Sequence, residues 1–540
     1  MVIKTSYIFY FLSLMKIVLK HFFKISFILL LFTSWFMGSI GKVWAKKGFY
    51  PDVCNLTNLQ PRYTQDFFDT FDNWVHRGNG CCHPRNENCS NCLEKVGSQF
   101  AWSYSYNLKS YILMFDTTGE TEYLDKLIDQ FDNINRARND NHPYGPFEDK
   151  FREAILPGWN GGREDTTFEE YIYHVHTGLI VTPVADFVRR IYEYPEIGKL
   201  VWKEYDWATK EWRPNSLNQT YKEKADFYLR ELEQIMTVFE GEFVDGPDEN
   251  EGYYTADERL YKWGRDGFQK GVLPFNQMLE LGRVELRLWQ LTGKPEYKDH
   301  VSRMAQLLKD VSNSRYDSEN NLYIWTYWPM MYTERAGYIF IDLEFVADCY
   351  EAGIVFNSED MQRYVNAFKK NIYISDGSSC WAHSRIDGST NSDDEWKTIT
   401  YSSTMLRYFP IDAEVEDMVF CYQDLIYNNA FDKHSGEWFR EYYGIKAEGA
   451  AKTIYHNYLQ AGCAFRLPDL SEQFSIPGDL NDDEVVDIFD LVIVGKCFGV
   501  EAVGDCKRAD ANDSGETIDI FDLVTIGSHF GEGAVNPLGS

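Results

Sequence analysis

Residues 118–131 read TGETEYLDKLIDQF, and residues 292–307 read TGKPEYKDHVSRMAQL. Each stretch follows a long apolar-faced segment and opens on Thr-Gly, a pair suited to ending one helix at a left-handed residue before the next begins. Ser103 to Phe131 and Pro274 to Leu308 are therefore predicted as two copies of one helix–turn–helix unit, with apolar residues at helical spacing. Working outward, the same spacing predicts helices at Gly178–Tyr192, Lys222–Val238, Ile339–Ala352, Ser358–Phe368, Tyr401–Phe409 and Ala413–Asn428. Strand-like alternation is scarce. Paired helices recurring from about residue 96 to 467 make the chain mainly α, its hairpins arranged in a ring or an open solenoid.

Hairpins of this kind, joined by loops rich in Trp, Tyr, Asp and Gly, resemble the (α/α) toroid domains of carbohydrate-active enzymes, polysaccharide lyases among them. The resemblance covers most of residues 96–467 and is one of architecture and segment style. It implies a sugar-binding cleft lined by inner helix ends and their loops, with a polysaccharide as partner. A plain helical-repeat scaffold without catalysis is the competing reading.

The sharpest motif lies near the C-terminus. DLNDDEVVDIFD, residues 479–490, places acidic or amide side chains at loop positions 1, 3, 5, 9 and 12. Calcium takes about six to eight oxygens, and alternate residues of a tight loop can supply them. Asp479, Asn481, Asp483, Asp487 and Asp490 are those donors, with the Val485 carbonyl at position 7. The pattern returns as DANDSGETIDIFDLVTIGSHFG, with Asp510, Asn512, Ser514, Asp519 and Asp522 as donors in a loop one residue longer. Two such loop–helix units resemble a type I dockerin. That resemblance implies one or two Ca2+ ions and a cohesin-like or cell-surface scaffold as partner. Two departures stand out. Glu484 replaces a usual glycine, and the recognition positions, small and hydroxylated in the family, are Ile488, Phe489, Ile520 and Phe521. Such apolar pairs are expected to pack inside the module or on the neighbouring domain.

Lys16, Lys20 and Lys24, the apolar run Ile25–Met37 and the small residues around Ala45 read as a cleavable signal peptide. The predicted organisation is a signal peptide at 1–45, a Cys-rich segment at 46–95, the toroid domain at 96–467, a linker at 468–477, the calcium module at 478–532 and a tail at 533–540. The protein is expected to be secreted or attached to the cell surface. Eleven cysteines suit an oxidising compartment, and Cys497 and Cys506 are predicted to pair. Cys81, Cys82, Cys89 and Cys92 fit either disulfides, which export favours, or a zinc knot. A net charge of −30 argues against a nucleic-acid partner, because phosphate binding needs a basic footprint.

GxSxG, Walker and HExxH motifs are missing from the helical region, so no short motif names a reaction. Polar residues instead gather in four places. GWNGGREDTTFEEYIYHVHTG (158–178) holds Arg163, Tyr173, His174 and His176, the two histidines just ahead of a helix predicted to begin near Thr177. KWGRDGFQKGVLPFNQ (262–277) ends in Asn276 and Gln277 at a helix start. YIWTYWPMMYTERAGYIFIDLEF (323–345) interleaves Trp325, Tyr327, Trp328, Tyr332 and Tyr338 with Glu334 and Arg335, like a sugar platform. WAHSRIDGS (381–389) adds His383, Arg385 and Asp387. Elimination from a uronic acid needs a base, an acid and groups that neutralise the carboxylate. His176 or His174 with Tyr338 fit the first two roles, and Asn276 with Arg335 the last. Hydrolysis needs two flanking carboxylates. Glu164, Asp165, Asp257, Glu334, Asp342 and Glu344 are available, and no pair stands out.

Overall fold

The computed structural model describes residues 96–161, 170–206, 211–377, 379–389, 401–427, 448–456, 488–500 and 517–529, with Phe68, Thr209, Ile399, Cys506 and Ala509 besides. The signal peptide, the cysteines from Cys54 to Cys92 and most of the two acidic loops lie outside these residues.

After a π-helical turn at Phe100–Tyr104 come α1 (Ser105–Thr118) and α2 (Glu122–Arg136), then α3 (His174–Glu193) and α4 (Tyr221–Met236). The third pair is α5 (Phe275–Thr292) and α6 (Pro295–Ser314), and the fourth is α7 (Ala336–Glu351) and α8 (Ser358–Ala367). A 3-10 helix at Ser402–Tyr408 pairs with α9 (Val415–Tyr427), and a helical segment follows at 448–456. The two matching Thr-Gly turns behave alike. Gly119 and Gly293 adopt φ of 75° and 70°, and their amides bond to the carbonyls of Phe115 and Trp289 at 2.8 Å. Only glycine takes that backbone without cost, so each inner helix stops there and the chain reverses.

The first member of each pair forms an inner wall and the second an outer layer. α3 and α5 are buried nearly all round, which marks them as inner. They approach closely at Gly178, where an added Cβ would stand 2.8 Å from the backbone carbonyl carbon of Glu280. Side-chain bonds join the inner segments in sequence. Arg190 of α3 meets Asp116 of α1, and Arg287 of α5 meets Asp186 of α3, both at 2.7 Å. Arg283 of α5 meets Asp348 of α7 at 2.7 Å, and Arg407 of the 3-10 helix meets Glu344 of α7 at 2.7 Å. Lys452 of segment 448–456 donates to Thr404 at 2.9 Å, and Glu448 of the same segment lies 3.7 Å from Lys109 of α1. The inner wall therefore closes on itself, as an (α/α) toroid requires.

Connections differ at the two ends of the wall. From inner to outer helix they are mostly short, as at residues 119–121, 293–294 and 352–357; the longer one between α3 and α4 carries an antiparallel hairpin of β1 (Lys203–Asp206) and β2 (Glu211–Pro214). From outer to inner helix they are long, spanning 137–173, 237–274, 315–335 and 373–401. The long loops therefore gather at the N-terminal ends of the inner helices. Three of them carry short antiparallel hairpins: β3 (Phe243–Asp245) with β4 (Gly252–Tyr254), β5 (Thr326–Trp328) with β6 (Met331–Thr333), and β7 (Tyr373–Ser375) with β8 (Cys380–Ala382). Helical periodicity does not register strands this short, and they were not anticipated. Tyr401–Phe409, predicted as a helix, is mostly the tighter 3-10 form.

A disulfide joins Cys380 of β8 to Cys421 of α9. Near the C-terminus Cys497 and Cys506 pair as predicted. There two helices, Ile488–Cys497 and Ile520–His529, enclose a small core of Val494, Ile518 and Ile526. Ile520 and Phe521 are 55% and 65% exposed, so the expectation that this pair packs inside the module is corrected. The small core is already filled by its neighbours Ile518 and Ile526. No helix of the described residues is long and apolar enough to cross a membrane.

Asp348 is fully buried and pairs with three guanidinium groups, those of Arg283, Arg287 and Arg407, at 2.7 to 2.9 Å. Burial alone would raise its carboxyl, but Arg287, then Arg283 and Arg407, outweigh burial and hold it well below the usual carboxylate range. Its contribution to stability is thus present above that range and lost as the pH falls through the depressed value. Removing one partner of a buried ion pair costs about 3–5 kcal/mol. Asp348→Ala is expected to lower stability by about that amount, read by urea unfolding at neutral pH. A change under about 1 kcal/mol would show that the network is not what joins the inner wall.

Candidate active site

The N-terminal ends of the inner helices bring together residues from four distant parts of the chain. α3 begins at His174, earlier than the sequence suggested, so both histidines lie in its first turn. Residues two apart on a helix point in nearly opposite directions, about 200° apart. The two histidines accordingly face different surroundings.

His176 faces Trp102 of the π-helical turn at 6.3 Å and Tyr173 at 5.0 Å between ring centroids. Its ring is buried, and among the described residues its Nδ1 has no hydrogen-bond partner. Gly161 makes room for it, since a Cβ there would stand 2.4 Å from Nδ1. Burial pushes the imidazole down to about 3, so it is neutral at ordinary pH. Trp102 also meets Tyr338 of α7, at 6.2 Å between centroids, and Tyr338 is stacked in turn on Tyr327 of β5 at 5.8 Å. One indole thus touches both candidates for proton transfer.

His174 turns the other way. It packs on Phe239 and Tyr254, and its Nε2 lies 2.8 Å from Glu242, which also takes two bonds from Arg152. That setting suits a buried ring bracing α3 against the loop before β3.

Asn276, in the first turn of α5, is buried, and its Oδ1 has no partner among the described residues. Its neighbour Gln277 accepts from Tyr261 at 2.6 Å. Arg335 precedes α7 and is exposed, with its backbone amide bonded to the Glu334 carboxylate at 2.7 Å. The charges of Tyr338, Glu334, Tyr261 and Arg335 all act on Tyr327, whose phenol burial first of all pushes well up. The segment 381–389 joins the same rim through Arg385, which donates to the Thr333 carbonyl at 3.1 Å.

Three readings of individual residues change. Trp325 is no sugar platform, because it is fully buried, donates to Asp342 at 2.8 Å and packs on Tyr364. Glu344 lies at the opposite end of the inner wall, within the ion network. Asp257 is occupied by Arg259 on the surface. Glu164 and Asp165 lie outside the described residues. Trp102 and Tyr261 were missed by sequence reasoning. Nothing near Trp102 sets it apart from a core aromatic, and only the fold places it beside His176.

Glu334 and Asp342 form a fully buried carboxyl pair joined by a hydrogen bond. Burial pushes Asp342 up to about 8, against the opposing bonds from Trp325 and Glu334. Burial, and then the charge of Asp342, push Glu334 well above its ordinary value. A proton held between two carboxyl groups is the simplest way to satisfy both. Such a pair touches itself and cannot flank a glycosidic bond from two sides.

Near the C-terminus, Asp519 and Asp522 are the described members of the second acidic loop. Asp522 is fully buried, and its carboxylate accepts from the Asp519 amide at 2.8 Å. A buried carboxylate at the close of an acidic loop fits a cation-binding donor set. The other proposed ligands of this loop, Asp510, Asn512 and Ser514, and the side chains of Asp479 to Asp490 lie outside the described residues. Among the described residues no group of three or more acidic, His or Cys side chains stands ready for a metal.

No protein-family model matches the chain, and no curated protein matches it. Among solved structures, the chain is similar to a cellobiose 2-epimerase from Bacillus thermoamylovorans B4167, at 10% identity and a TM-score of 0.41, over 68% of this chain and 88% of that one. It is also similar to a glycosyl hydrolase family 88 protein from Bacteroides vulgatus, at 11% identity and 0.40, over 72% and 99%. A third is the GH76A alpha-1,6-mannanase from Salegentibacter sp. HEL1_6, at 12% identity and 0.39, over 73% and 98%. At these values no reaction or substrate passes to this chain, and its architecture rests on its own helix packing.

The carboxyl pair has a direct consequence for stability. Its folded-state pKa is raised, so its contribution is complete below the ordinary carboxylate range and declines as pH rises toward about 8. Asp342→Asn keeps a hydrogen-bonding side chain and removes one titration. It is expected to flatten the fall in melting temperature between pH 5 and about 8 that the unaltered protein shows. Equal slopes for the two proteins would mean that the pair holds no proton.

Proposed function

We propose that this chain is a carbohydrate-active enzyme that cleaves a uronic-acid polysaccharide by β-elimination, and that its C-terminal module holds it in place through calcium. The observation that carries the reading is the placement of a neutral His176, its buried Nδ1 unpartnered among the described residues, and of Tyr338 against the same Trp102 ring. In this scheme the His176 imidazole takes the proton from C5 of the uronate. The electron pair left behind forms the C4–C5 double bond, the C4–O bond breaks, and the Tyr338 phenol protonates the departing oxygen. That C5 proton is only weakly acidic until the neighbouring carboxylate is neutralised. Arg335, which is exposed, and the buried amide of Asn276 serve that purpose from adjacent inner helix starts. Trp102 and Tyr327 supply flat faces for the sugar rings.

A neutral imidazole is the basic form, and His176 keeps it far below the usual histidine range. Hydrolysis is the second reading, resting on the buried proton of the Glu334–Asp342 pair as an acid. The mutual contact of those carboxyls weighs against it.

The deciding experiment is ultraviolet absorbance of unsaturated uronate ends, with the mature protein, calcium and a panel of uronic-acid polysaccharides. His176→Ala and Tyr338→Phe are each expected to lower kcat/KM by about 10²–10⁴, with the helical circular-dichroism signal retained. The acid limb of the kcat/KM profile is expected to show no inflection near the ordinary histidine pKa of about 6.5. Full turnover in both variants would discard these roles, and new reducing ends without absorbance would favour the hydrolase.

Asp479, Asn481, Asp483, Asp487, Asp490 and the Val485 carbonyl would hold calcium in the first loop, and Asp510, Asn512, Ser514, Asp519 and Asp522 in the second. The ion would neutralise the carboxylates crowded into each loop. A cohesin-like or cell-surface scaffold would be the partner, and the protein would be secreted or surface-attached. Saturating calcium at about 100 times Kd stabilises a binding-competent fold by about 2.7 kcal/mol. Chelation is therefore expected to lower the melting temperature of the C-terminal module, and Asp479→Asn with Asp510→Asn to abolish that response. A melting curve indifferent to calcium would remove the ion from the scheme.

A further inference from the structure

The opposite end of the inner wall holds a cavity of about 480 Å³, within the size range of small-molecule sites. It lies toward the ends of the inner helices: Asp116, Arg190, Arg287 and Glu351 line it from the C-terminal halves of α1, α3, α5 and α7. It lies at the end opposite the long outer-to-inner loops that surround His176 and Tyr338. We propose that this cavity is a second binding site, separate from the candidate active site, for a small neutral saccharide of one or two sugar units.

Three features of the wall point to that chemistry. First, guanidinium and ammonium groups alternate with carboxylates in near balance, so donors and acceptors stand side by side, as the vicinal hydroxyls of a sugar require. Secondly, unused hydrogen-bonding capacity remains. The Nε of Arg189 is buried and has no partner among the described residues, although the other two nitrogens of that guanidinium approach Glu193 and Asp186. Thirdly, Phe409, Pro410 and Leu406 present an apolar side to the same space, suited to the C–H face of a pyranose.

An anion fits less well. The basic groups of the wall are matched by acidic ones, and the helix C-termini add partial negative charge of their own. The site does not depend on which reaction occurs at the other end of the wall.

Calorimetric titration of the full chain with glucose, galactose and mannose tests this, with glucuronate and inorganic phosphate as the anionic arms. Saturable millimolar binding of at least one neutral hexose is expected. It should persist in His176→Ala and weaken about tenfold or more in Arg189→Ala, where a charge-assisted hydrogen bond is lost. Phe409→Ala should weaken it as well, and so should Glu351→Gln, at an exposed position of this wall where a melting curve can verify the fold. The inference is overturned if no neutral hexose binds, if only the anions bind, or if binding disappears in His176→Ala and survives in Arg189→Ala.

Discussion

The ion pairs that run around the inner wall are the constraint on which the rest of the structure depends. Arg283, Arg287 and Arg407 converge on Asp348, Glu344 takes Arg407 and Lys452, and Asp186 and Asp116 carry the chain of pairs back to α1. Charges this deeply buried are costly to desolvate, and the interaction between partners offsets that cost only in good geometry. Apolar packing alone would tolerate some sliding of helix on helix. A carboxylate shared by three guanidinium groups tolerates very little. Each inner segment is therefore held at one height and one rotation relative to its neighbours.

That fixed register is what gives meaning to the opposite end. His176, Asn276 and Tyr338 each lie in the first turns of an inner helix, and each helix is anchored further along by the charges above. Long loops, three of them stiffened by short hairpins, then fold over those helix starts and bring Tyr261 and Tyr327 among them. One wall thus presents two chemically different ends. At the starts of the helices aromatic rings and neutral polar groups predominate, whereas charged side chains in near balance surround the cavity at their finish.

The helical hairpins were legible because they depend on local signals: apolar residues at helical spacing, and Thr-Gly turns whose glycines take a left-handed backbone. The bond between Cys497 and Cys506 was legible for a similar reason, since the two lie close in sequence. Cys380 and Cys421 gave no comparable signal across their separation of 41 residues. In the candidate site, residue types pointed to His176 and Tyr338 and could not distinguish His176 from His174. That distinction is a matter of which helix face meets Trp102 and which meets Glu242. Trp325 and Tyr332 looked equally suited to a sugar, yet one is wholly buried and the other 57% exposed.

By itself, then, the sequence determined that the chain is built of paired helices, where most of them begin and end, and that two acidic loops with calcium-like donor spacing precede short apolar helices. These properties follow from interactions between residues a few positions apart. The tertiary structure alone decided that the inner segments close into a ring, that Glu334 and Asp342 come together as a buried carboxyl pair while Glu344 joins the ion network, and that His176 and Tyr338 meet the same indole. Those outcomes rest on contacts between residues far apart in the chain, and on burial, which sets the charge a side chain carries and cannot be read from its letter.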